Sequence, residues 1–299
     1  MTQRPDTAAD LAAFEPLRKE LTALAYRMLG DVGRAEDMVQ EAWLRWQQRG
    51  VEVQSPKAYL LTVVTRLCLN ELDSARARRE ESRADRLPEP VDLAESGLQL
   101  EALEQVSMAF LVVLERLSPA ERAVLLLHDV FDFAHDEIAP VVLRTEAASR
   151  KLLERARAKV EGGRRMLTAS HAEHERLLDG FLRAARAGDV AALVELLAAD
   201  AVIITDGGPR GRVEGRTRNL RQPLQGAARV AAFVVATANN APLHIERRDL
   251  NGQPALVFYR ADQSPFAALL LGVADGKIQR VFFHADLMRL GHIGAPSVG

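Results

Sequence analysis

The sequence predicts a multidomain chain, with two all-α helical blocks followed by an α+β domain. Three observations carry this. Apolar residues recur at helical spacing through roughly residue 160, with one break over 80–100. After Gly162-Gly163 the pattern changes to two helices and then short β-rich runs. Asn251-Gly252 and Asp275-Gly276 separate those runs, and such dipeptides favour tight hairpins.

The elements follow in order. Phe14, Leu17, Leu21, Leu24 and Met28 share one helical stripe that ends at Gly30, a C-cap residue. A second helix starts near Asp31 and runs through "EDMVQEAWLRWQQ", and a third starts at Ser55-Pro56. Residues 81–100 read as a linker, with extended character at Leu87-Pro88-Glu89-Pro90. Three more helices fill 101–163. The clearest start among them is Ser118-Pro119-Ala120-Glu121, with a serine N-cap, proline at the first position and an acid in the first turn. The last part predicts helices over "ASHAEHERLLDGFLRAARAG", "DVAALVELLAA" and "GAARVAAFVVATA". A strand over "AVIITDGG" and an antiparallel hairpin series complete it.

At 299 residues there is room for two or three domains, and 48% hydrophobic content supports sizeable cores. A net charge of −2 excludes bulk attraction to nucleic acid, so any basic surface must be local. The single cysteine, Cys68, excludes a disulfide framework and a multi-cysteine metal site, and it reads as a packed thiol. "HAEHE" at 171–175 lacks the i, i+4 histidine pair of a helical zinc motif and reads as solvated. No metal or cofactor is expected. "MTQRPDTAAD" has no apolar signal core, and no run approaches the ~18–20 apolar residues that span a bilayer. The reading is a soluble, cytoplasmic chain with no membrane partner.

Local basic surface does occur. In "HDEIAPVVLRTEAASRKLLERARAKV" a short helix meets a turn at Leu143-Arg144-Thr145, and a longer helix follows. Over 144–165 the arginines and lysines outnumber the glutamates enough to leave about +5, on a slightly acidic chain. Such a helix-turn-helix fits a reader of duplex DNA, with Ala139, Val142, Ala148 and Leu152 on its inner side. Pro140 inside the first helix and Leu143 in the turn depart from the common pattern. A second unusual feature is the helix of residues 36–48. Val39, Ala42, Trp43 and Trp46 fall on one face, and Asp37, Gln40, Glu41 and Leu44 fall on the other. The first stripe is core. The second places one leucine among two acids and an amide on the solvent side.

Both features resemble the extracytoplasmic-function (group 4) RNA polymerase sigma factors. "LAYRMLGDVGRAEDMVQEAWLRWQQ" with "SPKAYLLTVVTRLCLNELDSARARR" is similar to region 2 of that family, and "LERLSPAERAVLLLHDVFDFAHDEIAPVVLRTEAASRKLLERARAKV" to region 4. The resemblance implies region 2 over 1–80 and region 4 over 101–163. It implies that Asp37, Gln40, Glu41 and Leu44 dock on core RNA polymerase. Lys57, Arg66, Asn70, Arg76, Arg78 and Arg79 would hold the melted −10 element, next to a base-capturing loop over 47–57. Thr145, Arg150, Lys151, Arg155 and Arg157 would meet the double-stranded −35 element.

The remaining residues, 168–292, resemble SnoaL-like members of the NTF2-like cone fold. A subgroup of these sigma factors carries such a tail, together with a "LPEP"-like linker, here Leu87-Pro88-Glu89-Pro90. The subgroup also has an Asp-Gly-Gly loop, here Asp206-Gly207-Gly208, and a late motif whose position reads "HADLMRL" and includes His284 and Asp286. The resemblance implies a control domain that packs on the DNA-binding domains and biases their separation. No catalytic residue is assigned. Asp206, His244, His284 and Asp286 could line a cone pocket, and small-ligand sensing there stays open. Two alternatives stand beside the sigma reading. One is a SnoaL-like isomerase, cyclase or hydrolase with a helical localisation half. The other is a helix-turn-helix repressor or activator that works without polymerase.

Overall fold

The computed structural model describes residues 7–50, 52–77, 87–92, 107–164, 166, 169–208, 220, 222–238 and 244–296, the side chains of 75–77, 162 and 164 excepted. The chain divides into two compact units. A helical unit takes residues 1–81 and 113–161, and a sheet unit takes 82–112 and 162–299.

In the helical unit, α1 (Thr7–Phe14), α2 (Arg18–Leu29), α3 (Val32–Gln47) and α4 (Pro56–Ala77) come first. α2 ends at Gly30, whose φ of 66° is left-handed, and the Asp31 carboxylate then caps α3 by accepting the Arg34 N–H at 3.0 Å. α5 (Met108–Glu115), α6 (Pro119–Asp129), α7 (His135–Val141) and α8 (Glu146–Arg164) follow, though α5 through Val112 and α8 from Gly162 belong to the sheet unit. Ser118 and Glu121 form a reciprocal capping box at the start of α6. α7 and α8 are the expected helix-turn-helix. Leu143 in its turn is 78% exposed and adopts a left-handed φ of 53°, which is why glycine is common at that place. The inner face of α8 differs from the expected one. Ser149, Leu152, Leu153 and Ala156 are buried, whereas Ala148 is half-buried. Ala139, Val142 and Leu152 are buried as expected, and Ser149 takes the place expected of Ala148, with the His135 ring 2.9 Å from its hydroxyl.

The two helical blocks pack on each other. α6 lies against α2 and α4, and α7 meets α4. Arg122 of α6 is buried, and its Nη1 donates to the Met28 carbonyl near the end of α2 at 2.5 Å. Arg66 of α4 donates to the Pro140 carbonyl of α7 at 3.1 Å.

The sheet unit opens with α9 (His171–Ala187) and α10 (Val190–Leu196). It continues with β1 (Leu197–Asp206), β2 (Leu224–Gln225), α11 (Ala227–Ala238) and then β3 (His244–Leu250), β4 (Gln253–Tyr259), β5 (Pro265–Ala274) and β6 (Lys277–His284). The strand order is β2-β1-β6-β5-β4-β3. Both predicted hairpin turns have two consecutive positive-φ residues, Asn251-Gly252 and Asp275-Gly276.

Two expectations are corrected here. The strand β1 begins at Leu197, so the preceding helix is shorter than its apolar pattern suggested. The sheet is mixed rather than antiparallel, because β1 runs parallel to β6. Hairpin signals fix β3 to β6 relative to one another and carry no information about a strand that reaches them through α11.

Strand alternation divides the core in two. Ile203, Leu256, Leu269, Leu271, Val273 and Val281 face Leu177, Phe181, Leu193, Val230 and Val234 of the three helices. On the other side Ala255, Val257, Tyr259, Leu270 and Phe282 are covered by Leu87, Met108, Leu290 and Ile293. Among the described residues, no helix is long and apolar enough to cross a membrane. Ser118→Ala removes an N-cap oxygen and is expected to cost the helical unit about 1 kcal/mol, seen as a lower urea midpoint at unchanged slope.

Candidate nucleic-acid interface

The two-sided helix is α3. Val32, Ala35, Val39, Ala42 and Trp46 are buried along it, and Trp43 is half-buried with its ring 4.9 Å from that of Phe14. On the opposite side Asp37 and Gln40 are exposed, and Leu44 is 44% exposed. Glu41 is half-buried and accepts from Arg45 one turn on at 3.0 Å. The four residues therefore form one accessible stripe, an apolar side chain framed by carboxylates.

The residues expected at melted DNA are dispersed along α4. Lys57 pairs with Glu20 at 2.7 Å, Arg66 is engaged with Pro140, and Asn70 is exposed. Arg76 lies in the last turn of α4 with its side chain outside the described residues, and Arg78 and Arg79 lie outside them altogether.

On α8, Thr145 Oγ1 accepts the Ala148 N–H at 3.3 Å and caps the helix. Lys151 is exposed and makes no ion pair among the described residues. Arg150 pairs with Glu146 one turn away. Arg155 and Arg157 turn back toward α6. Arg155 stands 3.6 Å from Glu121, beside Lys159 at 2.7 Å. Arg157 grips Asp129 with two bonds, at 2.6 and 3.1 Å. That hydrogen bond holds the Arg157 guanidinium above its ordinary pKa. Sequence reading missed the rest of this network. Asp129 also binds His128 at 2.8 Å, and the His128 and His135 rings lie 4.9 Å apart. Burial, with His128 close by, depresses His135.

In the sheet unit the segment Leu87–Asp92 is buried throughout. The Leu87 N–H donates to Asp206 Oδ2 at 2.9 Å, and the Leu87 carbonyl accepts from Arg289. Val91 exchanges two hydrogen bonds with Asn251, at 3.1 and 2.9 Å, and Asp92 pairs with Arg248 at 2.8 Å. The His292 ring stands 3.5 Å from buried Glu89. Asp206 Oδ1 also accepts the Gly208 N–H at 2.9 Å. A side chain at Gly208 would meet the Asp286 carboxylate at 2.7 Å, and its φ of 79° is left-handed, so glycine is required twice over.

His284 lies opposite Asp206 in the β1–β6 register, and both it and Asp286 are buried. They are therefore not a surface pair. His244 is exposed at the head of the edge strand β3 and does not join them. Asp206 and His284 follow the parity of Phe282, on the sheet face away from α9–α11. In "HAEHE", His171 is exposed and pairs with Asp249, while His174 is buried against expectation because it lies on the inner face of α9.

Two segments match family models: residues 13–78 match Sigma-70 region 2, and residues 107–160 match Sigma-70, region 4. The chain belongs to the extracytoplasmic-function RNA polymerase sigma factors, which bind core polymerase and promoter DNA and direct transcription initiation. It is 36% identical to the ECF RNA polymerase sigma factor SigJ of Mycobacterium tuberculosis (strain ATCC 25618 / H37Rv), over 76% of this chain and 72% of SigJ. It is 33% identical to SigG of the CDC 1551 / Oshkosh strain, over 95% of this chain and 83% of SigG. The crystal structure of M. tuberculosis SigJ covers 96% of this chain and 100% of that one, with a TM-score of 0.73 and 29% identity. Family membership sets aside the polymerase-independent repressor.

Burial, with Arg289 nearby, depresses the His284 pKa to about 3, so the ring is neutral in the folded state. Unfolded, it takes a proton near pH 6.5. Its neutral burial therefore costs nothing above that pH, and stability is lost as pH falls from about 6.5 toward 3. Burial raises Asp206, which outweighs its N–H donors and acts in the opposite sense at the acid end. His284→Gln should flatten the acid limb of sheet-unit stability. The wild type should lose up to about 1.4 kcal/mol more per pH unit within that window, measured by urea unfolding between pH 7 and pH 4.

Proposed function

We propose that this sigma factor docks on core polymerase through Asp37, Gln40, Glu41 and Leu44. On this reading it holds the melted −10 strand with Lys57, Arg66, Asn70, Arg76, Arg78 and Arg79. It reads the −35 duplex with Thr145, Arg150 and Lys151 foremost, and Arg155 and Arg157 reach phosphates only after leaving Glu121 and Asp129. The observation that carries the docking assignment is the exposure of Leu44 within an acidic stripe, since such an apolar centre with a charged rim suits a partner surface. The double variant Asp37→Arg with Leu44→Ala should abolish co-purification with core polymerase while helix content stays the same. Retained binding would remove the assignment.

The sheet unit is the control element. The helical unit, at ~130 residues, is roughly 35 Å across, whereas the −35 and −10 elements lie more than two helical turns apart, over ~70 Å. Regions 2 and 4 must therefore separate on a promoter. The chain from Ala77 to Met108 could extend to about 100 Å, but the sheet unit fastens it at Leu87–Asp92 and at Met108, whose N–H donates to Gln253 at 3.1 Å. Fastening shortens the connection and favours the compact form. Asp206 accepts the Leu87 N–H of this segment, and Asp206 and His284 lie on the sheet face away from α9–α11, which supports a control role over a catalytic one. Such a factor works in the cytoplasm, where polymerase is.

Asp206→Asn combined with Asn251→Ala should release the segment. Promoter-dependent transcription by purified holoenzyme should rise severalfold without change in core binding. An unchanged output would refute the restraint.

A further inference from the structure

The loop 48–55 joins α3 to α4, and both of its ends converge on one indole. On the entry side, the Arg49 guanidinium lies 3.6 Å from the centre of the Trp46 ring, and its Nη1 donates to the Trp46 carbonyl at 2.6 Å. On the exit side, Tyr59 in the first turns of α4 places its ring 5.7 Å from that of Trp46. The third member comes from α1. Asp10 is buried at 3% exposure, and its Oδ1 accepts from Arg49 Nη2 at 2.5 Å. Its backbone carbonyl accepts the Trp46 Nε1–H at 3.1 Å. Asp10 precedes the matched region 2 segment, which begins at residue 13, so α1 adds this clamp from outside that segment.

The geometry points to Asp10 as a positioning residue for recognition of the −10 element, acting through Arg49 and Trp46 to fix the loop. This rests on the assignment of that loop to the melted strand. The physical argument concerns where a cation goes. A flipped base is discriminated only if the groups around it are held, because a mobile pocket adapts to the wrong base. An arginine beside a single strand is drawn to any phosphate, which adds affinity without sequence information. Asp10 removes Arg49 from that competition. It neutralises the guanidinium, which also lies over the Trp46 ring, so the residue that could bind DNA indiscriminately instead closes the loop. Lys57, at the other end of the loop, differs in that its pair with Glu20 is exposed, which leaves it available to the strand.

Loss of Asp10 therefore has a signature that mere loss of support lacks, in that affinity for single-stranded DNA rises while base discrimination falls. The test uses full-length factor bound to core polymerase, on fork-junction DNA carrying each of the four bases at each unpaired −10 position, over a range of salt. Asp10→Ala should flatten discrimination about tenfold at one or more positions and steepen the salt dependence by ~0.7 of a log unit per log unit of salt. Arg49→Ala should flatten discrimination without the steeper salt dependence. Arg49→Lys keeps a cation that Asp10 can still neutralise but cannot lay a guanidinium over the indole, so it should flatten discrimination without the steeper salt dependence. Gln54→Ala, an exposed loop residue, reports on the loop itself. If Gln54→Ala changes discrimination and Asp10→Ala does not, the clamp is refuted. If neither does, the loop assignment fails and the clamp with it. If Asp10→Ala weakens −10, −35 and core binding together, Asp10 only supports the fold and the proposal is overturned.

Discussion

A guanidinium stays charged at any pH a cell reaches, so the Arg122 side chain can be buried only where acceptors await it. The acceptor found is the Met28 carbonyl, in the last turn of α2, where backbone oxygens lack helical partners and the helix dipole is negative. Burial lowers the Arg122 pKa, and Glu115 works against that. The arrangement ties a residue of region 4 to the end of a region 2 helix. Apolar surfaces of α2, α4 and α6 then close around it, with Cys68 buried in the same interior and its thiol pushed far up by desolvation. A charge placed this way specifies one packing, because any other leaves it without its acceptor.

The sheet unit uses the same logic with the signs reversed. Asp206 is a buried carboxylate that accepts two backbone N–H groups, one from its own loop and one from a segment far away in sequence. Asn251 serves the same segment with its side-chain amide and its backbone N–H. The segment Leu87–Asp92 has little regular structure of its own, so its backbone groups would be orphaned by burial unless such partners met them. That explains why polar residues cluster on a sheet face that is otherwise apolar. The chemistry of Asp206 resembles that of an acid-base site, yet both of its oxygens accept backbone N–H groups.

What was legible in the sequence was local. The two faces of α3, the Ser118–Glu121 cap and the Asn251-Gly252 turn each depend on residues within one turn of one another. Composition and spacing therefore sufficed. The exposed stripe of α3 was readable for the same reason, since an outward leucine violates helical patterning. The Arg157–Asp129 pair spans 28 positions, Arg122–Met28 spans 94 and Leu87–Asp206 spans 119. Nothing at either end of those pairs signals the other. Burial of His284 and His174 was hidden likewise, because it depends on what covers a strand or helix and not on the residue itself. Arg155 and Arg157 were correctly seen as basic surface, but their acidic partners on α6 were not.

The parallel pairing of β1 with β6 has a consequence for the order of events during synthesis. No hairpin can join them, so β1 waits for the final strand of the sheet, about 120 residues after the end of α8. At ~5–20 residues per second the ribosome needs roughly 6 to 24 s for that stretch. Both sigma regions have been made before that stretch begins, and Asn251 and Arg289, which bond to the segment between them, are added only late in it or just after it. Under the proposed restraint, each new molecule passes through a brief unrestrained youth that ends with the last strand.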